Sequence, residues 1–258
     1  MKIYEFGDAA KPSLVLLPGT CCHWKGNFGG VLPLLEPDFH VLCVSYDGFD
    51  ETEPDTTFPT IEAEALQIEG YIKAKCGGHL HAAYGCSLGG SFVGLLAARQ
   101  NIRLDIGILG SSDLDQASPL KAGLMTNLAM PLIYPMVRDG KFKLKFLNKR
   151  LEQRMQEMPS YTKAFLDMMG GAQPYVSMQS CKNQFYSDMI TPLPDHLDTS
   201  TRIHIFYALK MGEQYRARYL QHFAHPVIHE QDLQHEELLA CYPEQWAALV
   251  RKICLPDA

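Results

Sequence analysis

Short apolar runs and helical periodicities alternate along the first half of the chain. Residues 14–17 (LVLL), 40–46 (HVLCVSY), 80–84 (LHAAY) and 104–109 (LDIGIL) each read as a strand closed by a glycine, proline or aspartate. Residues 2–6 are a strand candidate ahead of them. Between residues 60 and 74, Ile61, Ala65, Ile68 and Ile72 recur at helical spacing with charged side chains between them. A second helix-like stretch runs from Ser91 to Arg99. Strands joined by helices of this length predict a mostly parallel sheet with helices on both faces.

The pattern breaks after Asp115. Residues 117–200 are helix-like and hold nine of the eleven methionines. Alternation resumes with an apolar run at 202–209, a helix-like stretch, a second run at 226–230 and a last helix through Lys252. The simplest organisation is one α/β domain made of residues 1–116 and 201–258, interrupted by a helical insertion, or cap, at 117–200. The methionines there suit either an adaptable apolar pocket or the core of a small helical layer.

Composition narrows the function classes. The chain has 258 residues, 47% of them hydrophobic and 20% charged, so it has material for a sizeable core and is not a disordered sequence. Its formal charge of −6 lacks the basic excess of a nucleic-acid binder. The basic residues 138–150 read as a solvated face of the insertion. No apolar run approaches the roughly 20 residues of a membrane-spanning helix. Residues 1–11 lack the apolar core of a secretory signal, so a cytoplasmic location is expected. The eight cysteines contain no CxxC pair, which leaves a structural zinc site unsupported and favours reduced thiols.

The residues richest in chemistry are 82–90, AAYGCSLGG. They match G-x-S-x-G directly after an apolar strand and directly before a helix-like run. A serine forced into so sharp a strand-to-helix turn needs neighbours without side chains. The helix that follows sets its positive end under Ser87. The spacing puts serine, not Cys86, at the centre of the elbow.

With that elbow in this order of elements, the chain resembles an α/β-hydrolase-fold protein with a helical cap. A serine hydroxyl is a weak nucleophile without a base held by a third group. In the family the order is serine, acid, histidine. By that resemblance the base is His235, just after the last apolar strand and just before the terminal helix. The acid is expected at Glu213, after the strand at 202–209, although its register is displaced from the family pattern. Asp113, after the preceding strand, competes for that role. Asp115 reads as a cap for the start of the insertion. The family's oxyanion loop corresponds to Pro18-Gly19-Thr20, so the donors are expected to be the N–H groups of Thr20 and Leu88.

These residues predict a serine hydrolase that cleaves an ester or thioester of a small to medium apolar acyl group, with no metal or organic cofactor. The alternative is a ligand-binding or signalling protein of the same fold with a slow or vestigial triad. The displaced acid favours that alternative.

Overall fold

A computed structural model describes residues 1–255. Seven strands form one sheet in the order β1-β3-β2-β4-β5-β6-β7. They are β1 (Lys2–Phe6), β2 (Ser13–Leu17), β3 (His40–Ser45), β4 (His79–Gly85), β5 (Arg103–Leu109), β6 (Arg202–Ala208) and β7 (Val227–Gln231). Only β1 runs antiparallel to its neighbour, as an edge strand on β3. Each apolar run in the sequence is therefore a strand, including the candidate at 2–6.

Side chains that alternate along a strand feed two separate cores. Val15 and Leu17 of β2 join one with Ile61, Ala65, Ile68 and Ile72 of α3 (Ile61–Lys75) and Phe92 of α4 (Leu88–Arg99). Leu14 and Leu16 face the other, with Phe28 of α1 (Trp24–Phe28), Leu35 of α2 (Leu32–Leu35), and Trp246 and Val250 of α11 (Pro243–Cys254). Two buried faces explain why the central strands β2 and β3 are apolar along most of their length instead of alternating with polar residues.

Four helices lie between β5 and β6: α5 (Pro119–Asp139), α6 (Lys145–Glu157), α7 (Pro159–Met168) and α8 (Met178–Ile190). Ser118 and Ser177 cap α5 and α8 by accepting backbone N–H groups with their side chains. α8 is fastened to the start of α3 and the residues just before it: the N–H groups of Phe58 and Ile61 donate to Ser180 Oγ at 3.3 Å and Ser187 Oγ at 3.2 Å. α6 buries no residue. The chain closes through α9 (Glu213–His222), β7, α10 (Glu237–Cys241) and α11. Among the described residues, no helix is long and apolar enough to cross a membrane.

Candidate active site

The turn between β4 and α4 holds Ser87 at φ 49° and ψ −111°, a region that L side chains rarely enter. The backbone can bend this sharply because its neighbours are glycines. A Cβ on Gly85 would lie 2.0 Å from the carbonyl carbon of Gly89, and one on Gly89 would lie 2.2 Å from the Leu17 carbonyl oxygen. One on Gly90 would lie 1.7 Å from Ser112 Oγ. Ser112 Oγ donates to the Ser87 carbonyl at 2.6 Å and ties the elbow to the loop after β5. Ser87 itself is only half-buried.

The loop after β2 lies directly against the elbow, with Ser87 Cβ 3.6 Å from where a Cβ on Gly19 would stand. Its backbone is held by side chains from two other segments. Gly19 N–H donates to Asn27 Oδ1 at 2.8 Å, and Cys21 N–H donates to Gln184 Oε1 of α8 at 2.6 Å. Among the described residues, the N–H groups of Thr20 and Leu88 donate to no protein acceptor. Trp24 packs on Tyr4 and Phe6, with ring centroids 4.8 and 5.5 Å apart.

His235 lies in the turn between β7 and α10, half-buried. Two aromatic residues of α7 meet it. Tyr161 O–H donates to the His235 carbonyl at 3.0 Å, and Phe165 packs edge-on to the imidazole at 6.3 Å. The next residue, Glu236, is buried and left-handed at φ 54°. Its Oε1 accepts the N–H groups of Ser87 at 2.7 Å and Ser111 at 2.8 Å, and its Oε2 accepts Tyr84 O–H at 3.0 Å. Its own N–H donates to Ser111 Oγ at 3.1 Å. This carboxylate thus joins the elbow, the loop after β5 and the histidine turn. Its position beside a histidine carries no sequence pattern that marks it, and only the tertiary contacts do.

The two candidate acids differ in surroundings. Asp113 is half-buried, and burial raises its carboxyl above the ordinary range, as does the nearby Asp115 carboxylate. The Asp115 N–H, the His235 imidazole and Arg218 act in the opposite sense. Arg218 also donates to the Asp113 carbonyl at 2.8 Å and pairs with Asp115 at 2.6 Å. Glu213 instead begins α9 beyond a short 3-10 turn, exposed, and among the described residues its carboxylate makes no hydrogen bond or ion pair. The loops after β2, β4, β5 and β7 bring Thr20, Ser87, Leu88, Asp113 and His235 to the carboxyl end of the sheet, and the His235 imidazole is among the groups that act on the Asp113 carboxyl.

Cys86 is buried, and burial together with the Glu236 charge pushes its thiol well above its ordinary value. A thiol held protonated in this way is a poor nucleophile. Among the described residues, no group of three or more His, Cys, Asp or Glu side chains is arranged to hold a metal ion.

A family model of the alpha/beta hydrolase family matches residues 14–257, and the chain belongs to that family. Its sheet is the fold of that family. The chain is 15% identical to an alpha/beta hydrolase family protein of Desulfitobacterium hafniense, with a TM-score of 0.75 over 98% of this chain and 99% of that one. It is 11% identical to an esterase of a marine microorganism, with a TM-score of 0.68 over 96% of this chain and 97% of the other. A 1H-3-hydroxy-4-oxoquinoline 2,4-dioxygenase of Pseudomonas putida is 35% identical over 75 residues. That match spans 29% of this chain and 28% of the dioxygenase, well under a third of either protein.

Proposed function

We propose that the protein is a serine hydrolase that cleaves an ester or thioester of a small to medium apolar acyl group. The observation that carries this reading is Ser87, held at φ 49° on a glycine-lined turn and linked through Glu236 to the turn that carries His235. Ser87 Oγ attacks the substrate carbonyl while His235 takes its proton. The negative charge that develops on the carbonyl oxygen is met by the free N–H groups of Thr20 and Leu88. Collapse expels the leaving group, which receives the proton from His235, and leaves an acyl-Ser87 ester. A water molecule deprotonated by His235 then releases the acid and restores the serine. Asp113 orients the histidine in this reading, favoured over Glu213 by its burial and by its electrostatic contact with His235. The helices α5–α8 follow β5, the strand beside the elbow strand, and would cover the acyl group.

A fluorophosphonate probe combined with a panel of esters, thioesters and amides tests this. Labelling and turnover should both disappear in Ser87→Ala. Turnover no higher than that of the variant, on every substrate, would favour a ligand-binding protein with a vestigial triad.

The partial match to a 1H-3-hydroxy-4-oxoquinoline 2,4-dioxygenase favours a second reading, in which the protein is an oxygenase acting on a hydroxylated oxoquinoline-type ring. Oxygen uptake with 3-hydroxy-4-oxoquinoline that survives Ser87→Ala would replace the hydrolase reading with this one.

A further inference from the structure

We propose that Glu236 is a positioning residue, a buried acceptor that holds the nucleophile elbow and the histidine turn in register. This rests on the serine-hydrolase reading and goes beyond it, because the triad alone gives Glu236 no role. Three observations meet at its carboxyl group. The first is convergence: one oxygen accepts the Ser87 and Ser111 amides and the other accepts the Tyr84 hydroxyl. Strand β4, the elbow and the loop leading to Asp113 are thereby fixed to the residue that follows His235. The second is conformation. Glu236 occupies the left-handed region at φ 54°, which a non-glycine residue keeps only where its surroundings impose it. Its N–H bond to Ser111 Oγ and the Tyr161 bond to the His235 carbonyl grip the same turn on both sides. The third is space. A Cβ on Gly110 would lie 2.5 Å from Glu236 Oε1, so the loop after β5 closes on the carboxylate with no room for a side chain.

The bonds dictate which substitutions separate acceptor geometry from strain. Glu236→Gln keeps one oxygen for the two amides and turns its NH₂ toward the Tyr84 oxygen, which can accept. Glu236→Asp keeps the charge but is one methylene too short to span the three donors. Glu236→Gly removes the acceptor and at the same time relieves the left-handed strain. The expected pattern is a loss on the order of 10²-fold in kcat and in the rate of fluorophosphonate labelling for Asp and Gly, with KM changed less than about threefold. Gln should recover to within about tenfold of the parent. Hydrogen exchange of the Ser87 and Ser111 amides, slow in the parent and in Gln, should quicken in Gly.

A Gly variant that labels and turns over like the parent overturns the proposal, and so does a Gln variant no better than Gly. If Gly fails to fold, the contrast between Gln and Asp decides. If the probe leaves the parent unlabelled, the hydrolase reading fails. The amide exchange then still decides the clamp, since unchanged exchange in the Gly and Asp variants removes it.

Discussion

The carboxyl end of the sheet and the helices between β5 and β6 follow opposite packing rules. Around Ser87 nothing has room to move: three glycines sit where a Cβ would strike backbone or Ser112, and Ser87, Ser111 and Tyr84 all donate to one carboxylate. Along α6 and the first half of α5 the packing is loose. α6 buries nothing, and α5 leaves Leu120 89%, Leu124 63% and Leu128 65% exposed. Chemistry that needs atoms placed within a fraction of an ångström suits the first region. Discrimination by size and apolar contact tolerates the second.

The sharpest way to break this contrast is to remove the reacting atom. Ser87→Ala takes away one oxygen in the rigid region and should cost at least ~10³-fold in kcat while the melting temperature stays put. Retained activity, with the loss appearing in Cys86→Ala instead, would mean that the elbow delivers a different nucleophile. Removing the orienting acid comes next. Asp113→Asn should lower kcat by roughly 10²-fold or more, and Glu213→Gln by less than about threefold. The reverse ranking would move the acid to the loop after β6.

Much of the rigid region was legible in the chain itself. The seven strands, the α3 stripe Ile61, Ala65, Ile68 and Ile72, and the glycines of the elbow are local patterns, each set by neighbours in sequence. What was not legible depends on contacts between distant segments. Asp113 and Glu213 both follow a strand, and spacing alone cannot rank them. In the proposed reading their ranking comes from the burial of Asp113 and its nearness in charge to the His235 imidazole, both of which depend on the fold. Glu236 reads as one more acid near a helix start until the fold carries it to Ser87, 149 positions away in sequence. In α5–α8 the periodicity shows helices but not which face is covered.

Paired glycine substitutions compare the two regions by stability. Gly89→Ala sets a methyl 2.2 Å from the Leu17 carbonyl oxygen, which is backbone and cannot swing aside. A loss of about 3 kcal/mol or more is expected, roughly 10 °C in Tm for a domain of this size. Gly123→Ala, inside α5, would meet nothing closer than Tyr186 at 4.0 Å. There the gain in helix propensity should stabilise by up to ~1 kcal/mol. Calorimetry showing equal losses at both positions would erase the packing contrast.

The selectivity half of the comparison is tested by a series of soluble esters of increasing acyl length. If the helices α5–α8 cover the acyl group, each methylene buried contributes about 0.8 kcal/mol, close to fourfold in kcat/KM. The rise should stop at medium length, where the covered volume is filled. A flat profile, or best activity on emulsified triglyceride, would show that these helices are not a selective cover.

The smallest effect expected lies where the two regions meet. Asp188 of α8 faces Ser91, Gln116 and Thr191 in a small cavity, and burial raises its carboxyl to about 8, with the Asp113 and Asp115 charges adding to the shift and Ser91 opposing it. An acid whose folded value is raised binds a proton in the folded state that the unfolded chain, titrating near 3.8, has already lost. Its penalty is therefore absent below about pH 4, grows as pH rises, and is complete above about pH 8. Asp188→Asn removes that penalty and keeps the shape. Its melting temperature should match the parent at pH 4 and exceed it by roughly 5 °C at pH 8, a modest figure because the side chain keeps some contact with solvent. Melting curves at both pH values decide the matter. A loss at pH 8 would mean that Asp188 is ionised and bonded in the fold. The join between α8 and the sheet would then be a structured polar contact and not a strained one.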